Sequence, residues 1–460
     1  MNQTESSINK IGRWIKNSIT ARMLMVGFLT LILLIPLFFV KDLIKERAQR
    51  QKDVVSEIND KWGSEVLIYG PVLKVPYKTY NEKSTTDTKT KEITTEKIEQ
   101  IKYAYFFPEE LSINSKVNPE IKSRGIYKTT VFNSKNVLTG TFTTPDFSEE
   151  DISSENIIWD KARVLLQTSN LKGVNDQVEI SFGQNNYHFS THYQAGNTVQ
   201  LQKLQLHEME SKPLKSNDMP RDKAVSFTLN LSINGSEQIR FIPIGKTTEA
   251  QIVSNWKTSN FMGNFLPYNS EKISTDGFDA HWKILDINRP FSQTSYDYLP
   301  QITDYAFGVN FMIPVDEYQK SERAAKYGFL VIGLTFLTFF LIQTLSKIYI
   351  HPFQYLMIGL SLIMFYTLLI AISEHSSFLK AYLIAGSSVI LLITFYSRSI
   401  LKNFRFPLLI AISLSALYSF IYIIIQLESY ALLVGSIGLF AILTGVMFAS
   451  RKIDWEQEKI

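Results

Sequence analysis

Few residues in this chain have the types and spacing that chemistry needs. Glu374 and His375 are adjacent in SEHS, a polar break between two apolar runs. A carboxylate beside an imidazole at a membrane boundary can take up or relay a proton. The plainer reading is a polar break held at headgroup level. His281 lies in DGFDAHWKI between Phe278 and Trp282, with Asp279 or Asp276 available to orient it. A general base needs such a partner, but a strand histidine beside core aromatics is the commoner arrangement. His188 and His192 are four apart, which on a helix allows shared metal ligation. NYHFSTHYQ alternates like a strand, however, with Tyr187, Phe189, Thr191 and Tyr193 on one face. On a strand, residues four apart are separated by about 13 Å, so two solvent-facing histidines are expected and no metal site. The chain has no cysteine, which excludes disulfides, thiolate metal sites and cysteine nucleophiles. It shows no Gly-x-Ser-x-Gly elbow, His-Glu-x-x-His pair, phosphate-binding glycine loop or dinucleotide fingerprint. No cofactor is expected.

The elements that must hold these residues fall into two populations. Residues 23–40 form an 18-residue run without a charge, about the length a hydrocarbon core requires. The charged stretch KDLIKER follows directly, without a small-x-small cleavage site, so an uncleaved anchor is expected rather than a signal peptide. Five more runs lie at about 328–345, 353–373, 378–397, 406–426 and 430–450. Their short connections predict a compact antiparallel bundle. The expected organisation is a basic N-terminus at 1–22, a spanning helix at 23–40, a β-rich domain with an initial helix at 41–326, a five-helix bundle at 327–450 and a tail at 451–460.

Charge predicts which way these parts face. Lys10, Arg13, Lys16, Arg22, Lys347, Arg398, Lys402, Arg405, Arg451, Lys452 and Lys459 share one side if the spans alternate. The positive-inside rule makes that side cytoplasmic. The opposite short loops carry Glu374 and Glu428, and Lys380 lies near the outer end of its helix, where it can snorkel. Lys41, Lys45, Arg47, Arg50 and Lys52 run against the rule, but long domains translocate largely regardless of charge. Both termini are therefore expected inside, with residues 41–326 outside. The basic balance belongs to the membrane flanks and predicts no nucleic-acid partner.

In the middle segment, residues 41–62 have apolar spacing suited to a helix leaving the membrane. VLIYGPVLKVPYKTY, IKYAYFFP, GIYKTTVFNSKNVLTGTFT, ARVLLQTS, QVEISFG, AQIVSNW and YAFGVNFMIPV have strand character. Gly70-Pro71 marks a bulge or bend. FTLNLSI and EQIRFIPI, split by Asn234-Gly235-Ser236, predict a hairpin. Residues 81–100 are polar and predict an exposed hairpin tip or mobile loop. Together these imply a large antiparallel, sandwich-like β domain.

Three functions stay open on these residues. The first is a non-enzymatic envelope protein whose outer domain binds a protein, glycan or lipid. The second is a membrane enzyme using His281 with Asp279, or Glu374 with His375. The third is a transporter-like bundle gated at Glu374-His375. Spans almost free of ionisable groups weigh against transport.

The run HPFQYLMIGLSLIMFYTLLIAISEH at 351–375 resembles the signature segment of the CreD family. So do YGPVLKVPY at 69–77, SNWKTSNFMGNFLP at 254–267, GFDAHW at 277–282, DEYQKSERAAKYGFL at 316–330 and RKIDW at 451–455. The likeness runs in order from the first apolar run to Trp455 and is weak around 80–100 and 146–220. It implies a bacterial inner-membrane protein, connected with the CreBC two-component system and with cell envelope integrity. It implies no catalytic residues.

Overall fold

The first apolar run and the charged stretch after it form one continuous helix, α1 (Ile19–Trp62), of 44 residues. Pro36 sits inside it, as lipid permits because the backbone has few alternatives to helix. The computed structural model describes residues 18–86, 93–191, 205–221, 223–258, 260–311, 317–346, 348–401, 404–427 and 430–451. His192, Glu428 and the basic residues Lys10, Arg13, Lys16, Lys347, Lys402, Lys452 and Lys459 lie outside these. The chain divides into two compact units, residues 1–53 with 315–460, and residues 54–314.

The first unit holds the membrane helices. After a short amphipathic helix, α2 (Glu317–Lys326), come α3 (Gly328–Ser346), α4 (Pro352–Ser373), α5 (Phe378–Leu401), α6 (Arg405–Gln426) and α7 (Ala431–Ser450). With α1, the last five make six helices, among the described residues, that are long and apolar enough to cross a membrane. The start of α4 is set by His351, whose Nδ1 accepts the Phe353 N–H at 3.2 Å, with Pro352 as the first helical residue. That combination caps one free amide and removes another. Hydroxyls inside the spans donate to the carbonyl four residues back, as Thr338, Thr344 and Thr394 do. This keeps them satisfied without a partner helix. Between helices, Tyr355 donates to Gln343 Oε1 at 2.8 Å, with both residues buried.

Glycine notches hold α1 against the bundle. A Cβ at Gly359 of α4 would overlap Leu33, and one at Gly328 would crowd Leu37. Leu33 and Leu37 are both buried. Gly359→Leu is expected to lower stability by about 1–3 kcal/mol through overpacking, seen as a lower melting temperature in detergent. An unchanged value would mean that α1 does not depend on this notch.

Among the described residues, the second unit is built from sixteen strands. They are β1 (Val66–Thr86), β2 (Ile93–Phe106), β3 (Glu110–Arg124), β4 (Tyr127–Phe142), β5 (Arg163–Thr168), β6 (Glu179–Phe182), β7 (Asn185–Thr191) and β8 (His207–Ser211). There follow β9 (Val225–Ser236), β10 (Gln238–Phe241), β11 (Thr247–Ser254), β12 (Asn260–Gly263), β13 (Ile273–Ser274), β14 (Gly277–Leu285), β15 (Thr294–Tyr296) and β16 (Phe307–Asn310). Their order is β12-β16-β10-β1-β5-β8-β7-β6-β9-β4-β3-β11-β14-β13, with β2 joining β1 to β15. Pairing is mostly antiparallel, but β1 with β10 and β3 with β11 run parallel. Alternation explains the core: Val225, Phe227, Leu229, Leu231 and Ile233 of β9 are buried, while Ser226 and Asn230 are exposed. Trp282, Tyr69, Phe132, Phe142, Phe182, Phe241, Phe307 and Phe311 are almost wholly buried. The irregularity expected at Gly70-Pro71 is present, as a register shift between Tyr69 and Val72 against β5.

The hairpin expected at Asn234-Gly235-Ser236 does not form. These residues belong to β9 and pair with Asn133, Phe132 and Val131 of β4. β10 pairs instead with β1 and β16. The chain changes neighbours at Glu237, which adopts a left-handed φ of 61°. Gly235 is required by close packing and not by a turn, since a Cβ there would overlap Phe132 and Val66. The local Asn-Gly signal was overridden by tertiary contact.

One buried carboxylate organises the β6–β7 turn. Asp218 accepts the Gln184 N–H at 3.0 Å, the Asn185 amide at 2.8 Å and the Tyr187 hydroxyl at 2.6 Å. Burial raises its pKa, but those hydrogen bonds and Lys215 outweigh it and hold the carboxyl below the ordinary value. Burial and the bond to Asp218 push the Tyr187 hydroxyl up to about 12. The folded state therefore binds the Asp218 proton less readily than the unfolded chain. Its stabilisation is complete above an ordinary aspartate pKa of about 3.9 and is lost as the pH falls through the lower folded value. Asp218→Asn should be less stable than the parent at neutral pH, with the gap closing in acid. A gap that stays constant in acid unfolding would refute this.

Candidate functional site

Glu374 closes α4, following Ser373 at the C-terminal cap. Its side chain is mostly buried and lies 3.6 Å from the Arg47 guanidinium of α1. The Tyr318 hydroxyl of α2 donates to the same oxygen, Glu374 Oε1, at 3.2 Å. Beside it, Glu317 Oε2 accepts the Phe378 N–H at 3.0 Å, placing a carboxylate at the N-terminus of α5, where the helix dipole favours it. The amphipathic spacing of α2 produces this arrangement by burying Tyr318, Ser321, Ala324 and Ala325 on one face. His375 is exposed. The adjacent pair in sequence is thus split in space: Glu374 faces a cation and a phenol, and His375 faces outward. Chemically, the Glu374 cluster can fix the α4–α5 connection to α1 and α2 through charge-assisted hydrogen bonding.

Asp279 and His281 sit two apart on β14, whose inward residues are Phe278, Ala280, Trp282 and Ile284. They share the outer face, with His281 Nε2 at 3.0 Å from Asp279 Oδ1. Gln251 of β11, opposite His281, donates to both Asp279 oxygens at 3.0 and 3.1 Å. Asp279 is therefore the residue that orients His281, while Asp276 is exposed in the β13–β14 turn. The His281 and Asp279 side chains are 35% and 51% exposed, so the pair lies on an open strand face. Trp282 donates its indole N–H to the Phe265 carbonyl at 3.0 Å and packs on Phe261 and Phe307. His188 is exposed on β7. Among the described residues no group of His, Asp and Glu is arranged to hold a metal ion.

Two buried charges escaped the reading of residue types. Lys74 of β1 lies 2.5 Å from Glu210 and 3.5 Å from Glu208, both on β8. Arg163 of β5 is 3.6 Å from Glu210, and the Tyr103 ring covers the ammonium at 4.6 Å. Burial disfavours the Lys74 charge, but the bond to Glu210 and the two carboxylates outweigh it and hold its pKa above the usual lysine value. A lysine within the apolar run of residues 66–77 was a usable signal, because a charge on such a strand must find a partner. Arg289 follows β14 and is buried. It donates to the carbonyls of Ile244 at 3.3 Å, Gly245 at 3.1 Å and Phe291 at 2.9 Å, and to Gln293. Burial lowers its pKa to about 10. Nothing in the sequence around Arg289 announces this role.

Comparison with known proteins follows the same extent of chain. A family model described as inner membrane protein CreD matches residues 18–456. The inner membrane protein CreD of Escherichia coli (strain K12) is 30% identical over 439 residues, covering 92% of this chain and 91% of that protein. The six spans, the β-rich unit and this match agree in placing the chain in a multi-pass inner-membrane architecture, and the chain belongs to the CreD family.

Proposed function

We propose that this protein is a non-enzymatic support of the bacterial cell envelope, with both termini in the cytoplasm and residues 41–326 on the outer side of the inner membrane. Its β-rich unit binds an extended segment of another envelope protein. The orientation is supported by the eleven basic residues that share one side of the spans. The envelope role is the one the family resemblance implies.

The observation that carries the binding reading is the arm formed by β1 and β2. The two strands pair from Leu73–Phe106 out to Thr86–Ile93. β5 pairs with β1 as far as Lys74, and β15 pairs with β2 at residues 104–106. Single contacts extend this cover a little further, through the Tyr77–Ile157 bridge on β1 and the Asp297 N–H donated to the Tyr103 carbonyl of β2. From Lys78 and Lys102 outward the arm has two strands and open backbone edges among the described residues. Residues opposite one another share a face, so Tyr80, Ile101 and Tyr103 lie together beside the Lys78–Glu99 ion pair. All three are 40–50% exposed. Open edges with apolar side chains on one face suit strand addition by a partner chain.

A photo-crosslinking residue at Ile101 in cells should give discrete protein adducts that Tyr80→Lys weakens. Adducts only with lipid, or none, would sink the reading. The envelope phenotype should survive Asp279→Ala with His281→Ala, and Glu374→Gln with His375→Ala, at unchanged protein levels. Loss with either pair would favour an enzyme or a proton-coupled carrier.

A further inference from the structure

The basic residues just after the apolar run of α1 run against the orientation rule, and two of them, Lys41 and Lys45, line a pocket. α1 and α2 enclose a pocket of about 420 Å³ lined by Lys41, Lys45, Gln319, Glu322, Arg323 and Lys326. Ile44 and Ala325, both buried, complete its wall. Lys41, Ile44 and Lys45 are spaced to share one face of α1. Gln319, Glu322, Arg323 and Lys326 are spaced to share one face of α2. Two helix faces that carry four cations and one carboxylate thus border one cavity. Like charges so placed repel, and an anion between them converts the repulsion into attraction.

The level of the pocket is defined by its neighbours. Gly328, the first residue of α3, packs on Leu37, one turn before Lys41. The pocket therefore lies where the apolar runs of α1 and α3 end, at headgroup depth. Exposed Phe38, Phe39 and Phe329 occupy the adjoining turns on the apolar side. We propose that this pocket binds the phosphate of an anionic phospholipid headgroup, with the acyl chains lying along the apolar turns below. Arg323 supplies a planar fork for two phosphate oxygens, and the lysines supply point charges. Neutralised in this way, Lys41 and Lys45 no longer oppose an outward-facing end of α1.

The test uses the full-length protein in a mild detergent, titrated with short-chain phosphatidylglycerol and followed by native mass spectrometry. Phosphatidylcholine of the same chain length and glycerol 3-phosphate form the comparison arms. Phosphatidylglycerol should bind saturably and more tightly than phosphatidylcholine. Lys41→Gln, Lys45→Gln, Arg323→Gln and Lys326→Gln should each weaken binding about fivefold, and the combined variant by roughly two to three orders of magnitude. Arg50→Gln with Lys52→Gln, on α1 but outside the pocket, should change nothing. Without lipid, Lys41→Gln with Lys45→Gln and Lys326→Gln should melt at or above the parent temperature, because repulsion between these lysines has been removed. Lys41→Arg with Lys45→Arg and Lys326→Arg keeps the charge and should keep the binding, which separates charge from folding. Equal affinity for phosphatidylcholine, or full binding by the combined variant, overturns the proposal. Competition by glycerol 3-phosphate at the same concentration as the lipid assigns the pocket to a soluble phosphate and overturns the lipid assignment.

Discussion

Replacing Lys74 by alanine should destabilise the β-rich unit by about 3–5 kcal/mol. The substitution leaves Glu210, nearly as buried as Lys74 itself, beside Glu208. Arg163 is too far from Glu210, at 3.6 Å, to replace a 2.5 Å contact. The raised pKa means the folded state holds the Lys74 proton more tightly than the unfolded chain does. Its contribution is therefore complete below an ordinary lysine pKa of about 10.4 and is lost only as the pH rises through the higher folded value. Pulse proteolysis of the full-length protein in detergent measures the effect at neutral pH. The double variant Lys74→Ala with Glu210→Ala should recover at least about 1 kcal/mol of the loss, because it removes the stranded carboxylate. Simple additivity of the two single changes would show that the pair is not coupled.

Arg289→Ala should have an effect of similar size, for a different reason. The guanidinium serves three backbone carbonyls and Gln293, which in turn donates to the Pro108 carbonyl at 2.9 Å. Each buried acceptor left without a donor costs about 1–3 kcal/mol, and the lost side chain also leaves Phe291 without the cation stacked 4.2 Å from its ring. A total of about 3–5 kcal/mol is expected, since water entering the site offsets part of the sum. Arg289→Lys keeps the charge but not the fork, so it should recover less than half of the loss. Full recovery by lysine would mean that charge, and not directed hydrogen bonding, matters here.

These two sites mark where reading the sequence stops. The six apolar spans were legible because length and lack of charge are properties of contiguous residues, and α4, α5 and α6 start or end within a few residues of the apolar runs. The strand segments were legible from alternation and β-branched content, and so was the irregularity at Gly70. The Asn234-Gly235-Ser236 hairpin was misread because glycine in a strand has two causes, a turn or a close approach, and the second depends on Phe132 a hundred positions away. The parallel pairs were illegible for the same reason. Glu374 ends α4, in the polar break where the sequence drew attention to it, but its neighbour was taken to be His375, whereas its partners Arg47 and Tyr318 come from elements distant in the chain. Likewise, Lys41 and Lys45 meet Arg323 and Lys326 only through the fold.

The parallel pairing of β1 with β10 also sets an order of assembly. Glu65, just before that pairing, and Arg240, within it, are hydrogen-bonded across 175 positions of chain, and β10 is in turn completed by β16. β3 waits in the same way for β11. As the chain is delivered from its N-terminus, β2 follows at once to pair with the outer part of β1, but the apolar Val66–Ile68 end is exposed long before β10 exists. Contacts this distant in sequence form slowly, and the exposed strands are prone to wrong pairing meanwhile. The long interval between the Val66–Ile68 end and its β10–β16 neighbours leaves an apolar edge to be kept from other copies of the chain until residue 310 has been delivered.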